Sequence, residues 1–401
     1  MSAIKLSDCV GRIKESPTLA ITAKAARYKT EGKDIIGLAA GEPDFDTPQH
    51  IKDAAKKAID NGFTKYTPVS GIPSLKKAII EKFKRDNNLE YNSNEVIVGV
   101  GGKQCIFNFC LAVLNPGDEV IIPAPYWVSY ADIALVSNAK PVIVECGIEQ
   151  KFKMTAEQLE KAITAKTKLL ILNSPSNPTG AVYSKEELKS LAKILTKYPN
   201  ILIGTDDMYE HVKLKDMPFY NILNVEPSLK DRCVVMNGVS KAYSMTGWRI
   251  GFAAGPSYII KAMEILQSQS TSNPTSISQV AAEAALSGEQ ACMQPMIKAF
   301  RERHDYVVKS FNEIPGLSCI EAQGAFYAFP DARKAIERLY DQKILKEKTD
   351  LALADYLLEK EGVAIVPGSA FGSDGYFRIS FATSMNNLVE AMKRIKRALT
   401  V

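Results

Sequence analysis

The stretch LLILNSPSNPTGAVYSKEELKSLAKILTKYPNILIGTDD, residues 169–207, decides the fold. It opens on an apolar run, Leu169–Leu172, followed by the polar, proline-bearing loop Asn173–Gly180. A helical pattern covers Ser184–Tyr198. Ser184 and Glu187 start it at the spacing where each side chain accepts from the other's backbone N–H. A second apolar run, Ile201–Ile203, leads to Asp206 and Asp207. Neither run alternates apolar with polar residues, so each is expected to be buried on both faces. Strand, helix, strand in that order is the unit of a parallel sheet covered by helices.

The same rhythm extends outward. Val96–Val100, Val120–Ile122 and Val142–Val144 precede this stretch, Val234–Met236 and Ile250–Ala253 follow it, and Lys103–Leu114 reads as a helix. The runs predict a large, mainly parallel seven-stranded sheet buried on both faces. Further on, Ala299–Asn312 reads as a long helix. Val363–Val366, Phe377–Phe381 and a helix from Asn386 read as a mixed α+β unit. We therefore expect an α/β protein with a large domain at residues 50–295 and a smaller, discontinuous domain from residues 1–49 and 296–401.

Composition narrows the function classes. The 401 residues suffice for two or three domain-sized units. Fifty basic residues against 45 acidic ones leave a net charge of +5, which is small and dispersed. The basic residues read as solvated helix faces rather than a nucleic-acid patch, and the sign suits anionic small substrates. The seven cysteines form no CxxC pair and read as reduced thiols, with Cys105 and Cys110 on the buried face of a helix. Met1–Ala20 carries Lys5, Asp8, Arg12, Lys14 and Glu15 without an apolar core, unlike a signal peptide. No apolar run approaches the ~20 residues of a membrane helix. We expect a cytoplasmic protein with no metal.

Polar residues fall just beyond the apolar runs. Gly101 and Gly102 follow the first, Tyr126 and Trp127 the second, Asn173–Gly180 the fourth, Asp206, Asp207 and Tyr209 the fifth, Ser240 and Lys241 the sixth. Ligands of open α/β sheets bind beyond the carboxyl ends of the strands, so these clusters are expected to converge on one pocket. Taken singly, most have plain structural explanations: a turn for the glycine pair, core for Trp127, a turn for Asn177 before Pro178, a helix cap for Asp206. Lys241 at the end of a buried strand is different. Lysine is seldom buried without a purpose, and desolvation lowers its pKa toward that of a nucleophilic amine.

Ser240-Lys-Ala-Tyr-Ser-Met-Thr-Gly-Trp-Arg-Ile-Gly251 resembles the cofactor-lysine segment of class I aminotransferases. Asn177-Pro-Thr-Gly180, Thr205-Asp-Asp-Met-Tyr209, Gly41–Pro48, Lys65–Pro73, Gly101–Gln104, Pro125–Tyr130 and Phe377–Ser384 resemble further segments of that family, in order along nearly the whole chain. The likeness is greatest to bacterial enzymes acting on aspartate, of the branch that often also accepts prephenate. It implies the fold type I of pyridoxal 5'-phosphate (PLP) enzymes, with PLP bound covalently to Lys241, which would also act as general base and acid. Asp206 would pair with the ring nitrogen; Asn177 and Tyr209 would bond the ring oxygen; Trp127 would stack on the ring. Arg249, Gly101, Gly102, Lys103 and Ser240 would surround the phosphate, helped by Tyr66 of the second subunit in a homodimer. Arg378 would grip the substrate α-carboxylate through two parallel hydrogen bonds, beside Gly41. Two departures stand out. Gly238 occupies a position where many relatives carry Ser or Thr, and Asp207 stands for the familiar Glu.

The same resemblance points to Lys14, Ser16, Thr18 and Lys103 for the second carboxylate of the substrate. Gln267–Asn273 lacks the arginine that some relatives use there. The implied reaction is transfer of the amino group from L-aspartate to 2-oxoglutarate, with prephenate as a further acceptor. Other expectations compatible with the motifs are an aminotransferase for alanine, aromatic amino acids or kynurenine, a carbon–sulfur lyase, or a binding protein that kept the fold and lost the chemistry.

Overall fold

A computed structural model describes residue 4, residues 6–13 and residues 15–400. Its centre is a seven-stranded sheet. In chain order the strands are β1 (Val96–Gly99), β2 (Glu119–Ala124), β3 (Lys140–Glu145), β4 (Thr167–Asn173), β5 (Leu202–Asp206), β6 (Cys233–Gly238) and β7 (Gly251–Ala254). In space they run β1-β7-β6-β5-β4-β2-β3. Only β7 is antiparallel to its neighbours; the pairs β6–β5, β5–β4, β4–β2 and β2–β3 are parallel.

The sheet buries both faces because alternate residues of each central strand enter different cores. In β4, Leu170 and Leu172 join Leu188, Leu191 and Leu195 of the helix Lys185–Leu195, together with Ile79 and Phe83 of the helix Pro73–Asn87. Leu169 and Ile171 face the other way, onto Ile106 and Phe109 of the helix Gly102–Val113 and onto Ile259 and Met263. Each such side chain contributes about 1.5–3 kcal/mol by leaving water. Cys105 and Cys110 are buried on that helix, where loss of hydration pushes both thiols up to about 12. One expectation is corrected. β3 is not buried on both faces: Ile143 is 38% exposed and both strand ends are exposed, because β3 is the sheet edge.

A third core forms around Phe300, Phe311, Phe326, Phe377, Phe381, Leu388 and Ile395. The long helix of this region spans Gln294–Asn312, starting earlier than the apolar pattern suggests because Pro295 favours a first helical turn. The expected strand at Val363–Val366 is two short ones. Val363–Ala364 pairs in parallel with Ile36–Gly37. Val366–Pro367 joins a three-stranded antiparallel sheet with Phe377–Ser380 at its centre and Tyr327–Ala328 on the far side. Among the described residues no helix is long and apolar enough to cross a membrane.

Candidate active site

The parallel strands end level with one another. Asn173 stands opposite Asp206, and Asp206 opposite Met236. Beyond these ends lies a cavity of about 360 Å3, a size suited to a small ligand. Thirteen residues expected in the site line it: Ser16, Thr18, Gly41, Gly102, Lys103, Trp127, Asn177, Asp206, Tyr209, Ser240, Lys241, Arg249 and Arg378. Gly101 is not in the wall but packs on Arg249. Tyr66 is 93% exposed and lies elsewhere. Lys14 lies outside the described residues.

Lys241 faces the cavity, and its Nζ donates to the Gly41 carbonyl at 2.6 Å. Loss of hydration is the main force on this amine, assisted by Arg249 and Arg378 and opposed by Glu42 and Asp206; its pKa falls to about 8. The Gly41 contact needs a glycine, because a Cβ there would stand 2.8 Å from the Tyr327 hydroxyl.

Asp206 ends β5 and is buried. Its Oδ2 accepts from the Tyr130 hydroxyl at 2.6 Å and its Oδ1 from the Met208 N–H at 3.2 Å. Burial raises the carboxyl's pKa, while these two donors and Lys241 favour the anion. Asn173 ties the neighbouring loop to it, donating to the Asp206 carbonyl at 2.8 Å and accepting from the Asn177 N–H at 2.8 Å. Behind, the Lys82 ammonium is buried against Glu210, which also accepts from Asn87 and Asn237; this anchors the segment after β5. Asp207 points away from the cavity to Asn221, at 2.7 Å, and burial drives its carboxyl well above the usual range.

Gly101 has φ +83°, and a Cβ on it would lie 2.3 Å from the Arg249 guanidinium. Glycine therefore lets Arg249 close on the start of the helix Gly102–Val113, where unpaired N–H groups favour an anion. A Cβ at position 238 would sit tightly, 3.1 Å from Gly251 Cα, Ile250 O and Met208 Cε. On the opposite wall Arg378 is 2% exposed. It donates to Asn177 Oδ1 at 2.8 Å and the Ala39 carbonyl at 2.7 Å, and its guanidinium lies 4.4 Å from the Tyr327 ring centroid. Its buried Nε–H has no acceptor among the described residues. A buried donor left unpaired is costly, so this wall is built to receive an anionic group. Lys103 stands 5.0 Å from the Trp127 ring, and loss of hydration, then Arg249, lowers its pKa.

Two tyrosines in this wall were not among the expected site residues. Tyr130 holds Asp206, and Tyr327 holds Tyr209 at 2.8 Å, hydroxyl to hydroxyl. A tyrosine in an otherwise apolar run, such as Ala325-Phe-Tyr-Ala-Phe329, signals a buried hydroxyl needing a partner; the partner itself is not visible locally.

Among the described residues four cations and one carboxylate line the cavity. Such a wall selects a polyanionic ligand, and a desolvated lysine facing it is a nucleophile for a carbonyl group. Fold and site together define a group-transfer enzyme whose cavity holds a desolvated lysine. Residues 33–395 match the class I and II aminotransferases, and the chain belongs to that family. It is 63% identical to the aspartate/prephenate aminotransferase of Nitrosomonas europaea, over 99% of this chain and 100% of that one. With the enzyme of the same name from Cereibacter sphaeroides it shares 54% identity over 98% of both. The crystal structure of the Rhizobium meliloti aspartate aminotransferase superimposes with a TM-score of 0.94 at 47% identity, covering 99% of both chains. The Thermus thermophilus aspartate aminotransferase with maleate does so with a TM-score of 0.92 at 41% identity, covering 99% of this chain and 100% of that one. Family membership implies PLP, and the cavity fits it: a lysine amine, a buried carboxylate and an anion cradle stand on its walls.

Proposed function

We propose that this chain is a PLP-dependent aminotransferase moving the amino group of L-aspartate to 2-oxoglutarate, with prephenate as a further acceptor. The observation that carries the reading is the buried Arg378 with its unpaired Nε–H across the cavity from the Lys241 amine. In this reading Lys241 holds the cofactor and moves the proton at the substrate Cα. Asp206 would keep the ring nitrogen protonated, and Asn177 and Tyr209 would bond the ring oxygen. Trp127 would pack on the ring. Arg249, Ser240 and the Gly101–Gly102 turn would hold the phosphate. When bound, the cofactor supplies an electron sink for the carbanion at Cα.

Arg378 receives the α-carboxylate. Lys103, with Ser16 and Thr18, receives the distal one; a mobile point charge suits carboxylates at more than one distance. The relatives' names and the dicarboxylate maleate in the Thermus thermophilus structure support that choice. Tyr66, exposed and remote from its own cavity, supports a homodimer in which it serves the partner subunit. The unpaired cysteines support a reducing, cytoplasmic setting.

The test is a spectrum of the loaded protein. Aspartate should bleach the visible band and release oxaloacetate, and 2-oxoglutarate or prephenate should restore it, yielding glutamate or arogenate respectively. A band indifferent to aspartate but bleached by alanine or aromatic donors would overturn the substrate assignment.

Tyr130→Phe should lower kcat about thirtyfold, the loss of one hydrogen bond to a charged acceptor worth about 2 kcal/mol. KM for aspartate should stay within about twofold, because Tyr130 acts through Asp206. Steady-state kinetics check this, and an unchanged kcat would remove Tyr130 from the account.

A further inference from the structure

We propose that Tyr327 is the positioning residue that couples the two halves of this site: its hydroxyl holds Tyr209, and its ring carries Arg378. The proposal rests on the aminotransferase reading above.

Three contacts meet on this side chain. Its hydroxyl lies 2.8 Å from that of Tyr209, with the two rings edge to face at 5.7 Å. The Arg378 guanidinium stands over its ring, 4.4 Å from the centroid. The same hydroxyl occupies the space a side chain at Gly41 would need, and the Gly41 carbonyl accepts from Lys241. The strands explain the meeting. Tyr327 pairs with Ser380, which makes Arg378 its diagonal neighbour two residues along, on the same face of the sheet. Phe326, with its ring centroid 4.8 Å away, braces the ring.

The chemistry follows from counting protons. A phenol has one proton to give and two lone pairs to receive. Neither hydroxyl of this buried pair has a second partner among the described residues. One proton lies between them, so the other is free for an acceptor in the cavity. With Tyr327 donating to Tyr209, Tyr209 donates onward, and the first bond polarises the second. Tyr209 is then a stronger donor to the ring oxygen it is proposed to bond. The ring of Tyr327 meanwhile offers its electron-rich face to Arg378 and leaves the guanidinium edge free for the substrate.

The charged and titratable groups facing this pair are Arg378, Asp206 and Tyr130, with Lys241 6.0 Å from the Tyr209 ring; Glu42 and Arg249 act on Lys241. All remain in a Tyr327→Phe variant, so a change in that variant reports the hydroxyl alone.

The experiment uses the PLP-loaded protein and separates the two contacts. The pH at which the visible band of the bound cofactor changes is measured without substrate; kcat and KM are measured with aspartate and with glutamate. Tyr327→Phe should move the spectral midpoint upward by about 0.5 pH unit, as a weakened donor stabilises the ring oxyanion less, with KM within about twofold. Tyr327→Leu should show the same shift and also raise KM for both donors by about tenfold, the loss of a desolvated cation–π contact. Tyr327→Met serves as the ringless variant where leucine fails to fold. An unmoved midpoint in Tyr327→Phe overturns the hydroxyl role, and a ringless variant with the KM of Tyr327→Phe overturns the ring role. A wild-type protein without a visible band, or indifferent to aspartate, would instead sink the aminotransferase reading.

Discussion

Lys241→Ala is expected to lower aspartate turnover by about four orders of magnitude or more, because in the proposed mechanism one amine serves both as covalent anchor and as proton carrier. The structure adds a pH dependence. An ordinary lysine has a pKa of 10.5, whereas loss of hydration brings Lys241 to about 8. At pH 7 the neutral fraction is then about one in ten rather than roughly one in three thousand, a gain of about three-hundredfold in reactive amine. The neutral form is the nucleophile. Capture of added PLP by the ligand-free chain should therefore quicken as pH rises toward about 8 and level off above it. Stopped-flow absorbance measures this directly. A rate still climbing steeply beyond about pH 9.5 would show that the amine is not desolvated. Borohydride trapping with peptide mapping supplies the companion test: label at residue 241 in the wild type and none in the variant.

Arg378→Ala is expected to lower kcat/KM for aspartate about a thousandfold. The substrate carboxylate then enters a buried wall without its cation, a loss of about 4 kcal/mol. Arg378→Lys should recover only part, because a single ammonium cannot present two parallel N–H donors. In the proposed mechanism the Nε–H, which lacks an acceptor among the described residues, is one of those donors, and the bonds to Asn177 and the Ala39 carbonyl hold the group in place. Lys103→Ala provides the contrast. It should weaken aspartate and glutamate while leaving alanine, which has no distal carboxylate, within about twofold. Kinetics with this panel distinguish the two roles. An Arg378 variant that lost only dicarboxylates, or a Lys103 variant that lost alanine equally, would reverse the assignments.

Much of the fold was legible because buried strands announce themselves. All seven apolar runs are strands of the sheet, and the Ser184–Glu187 pair caps the helix Lys185–Leu195 as its spacing suggests. The lysine and the aspartate of the site were legible for a similar reason, since a charged residue directly after an apolar strand sits where parallel strands open onto a ligand. Sheet order was not legible. Val142–Val144 looks as apolar as its neighbours, yet β3 is the edge and Ile143 is half-exposed.

What the order of residues determined by itself was local: which runs become strands, where a side-chain cap starts a helix, and which chemical groups stand at the strand ends. Hydrophobic period and capping act over a few residues, so they can be read along the chain. What only the tertiary structure decided was which groups meet. Tyr130 finds Asp206 across 76 residues, Tyr327 finds Tyr209 across 118, and Arg378 finds Asn177 across 201. Those partnerships depend on strand register and on separate cores closing over one cavity. They set how basic the lysine is, how firmly the aspartate is held and how the arginine is aimed.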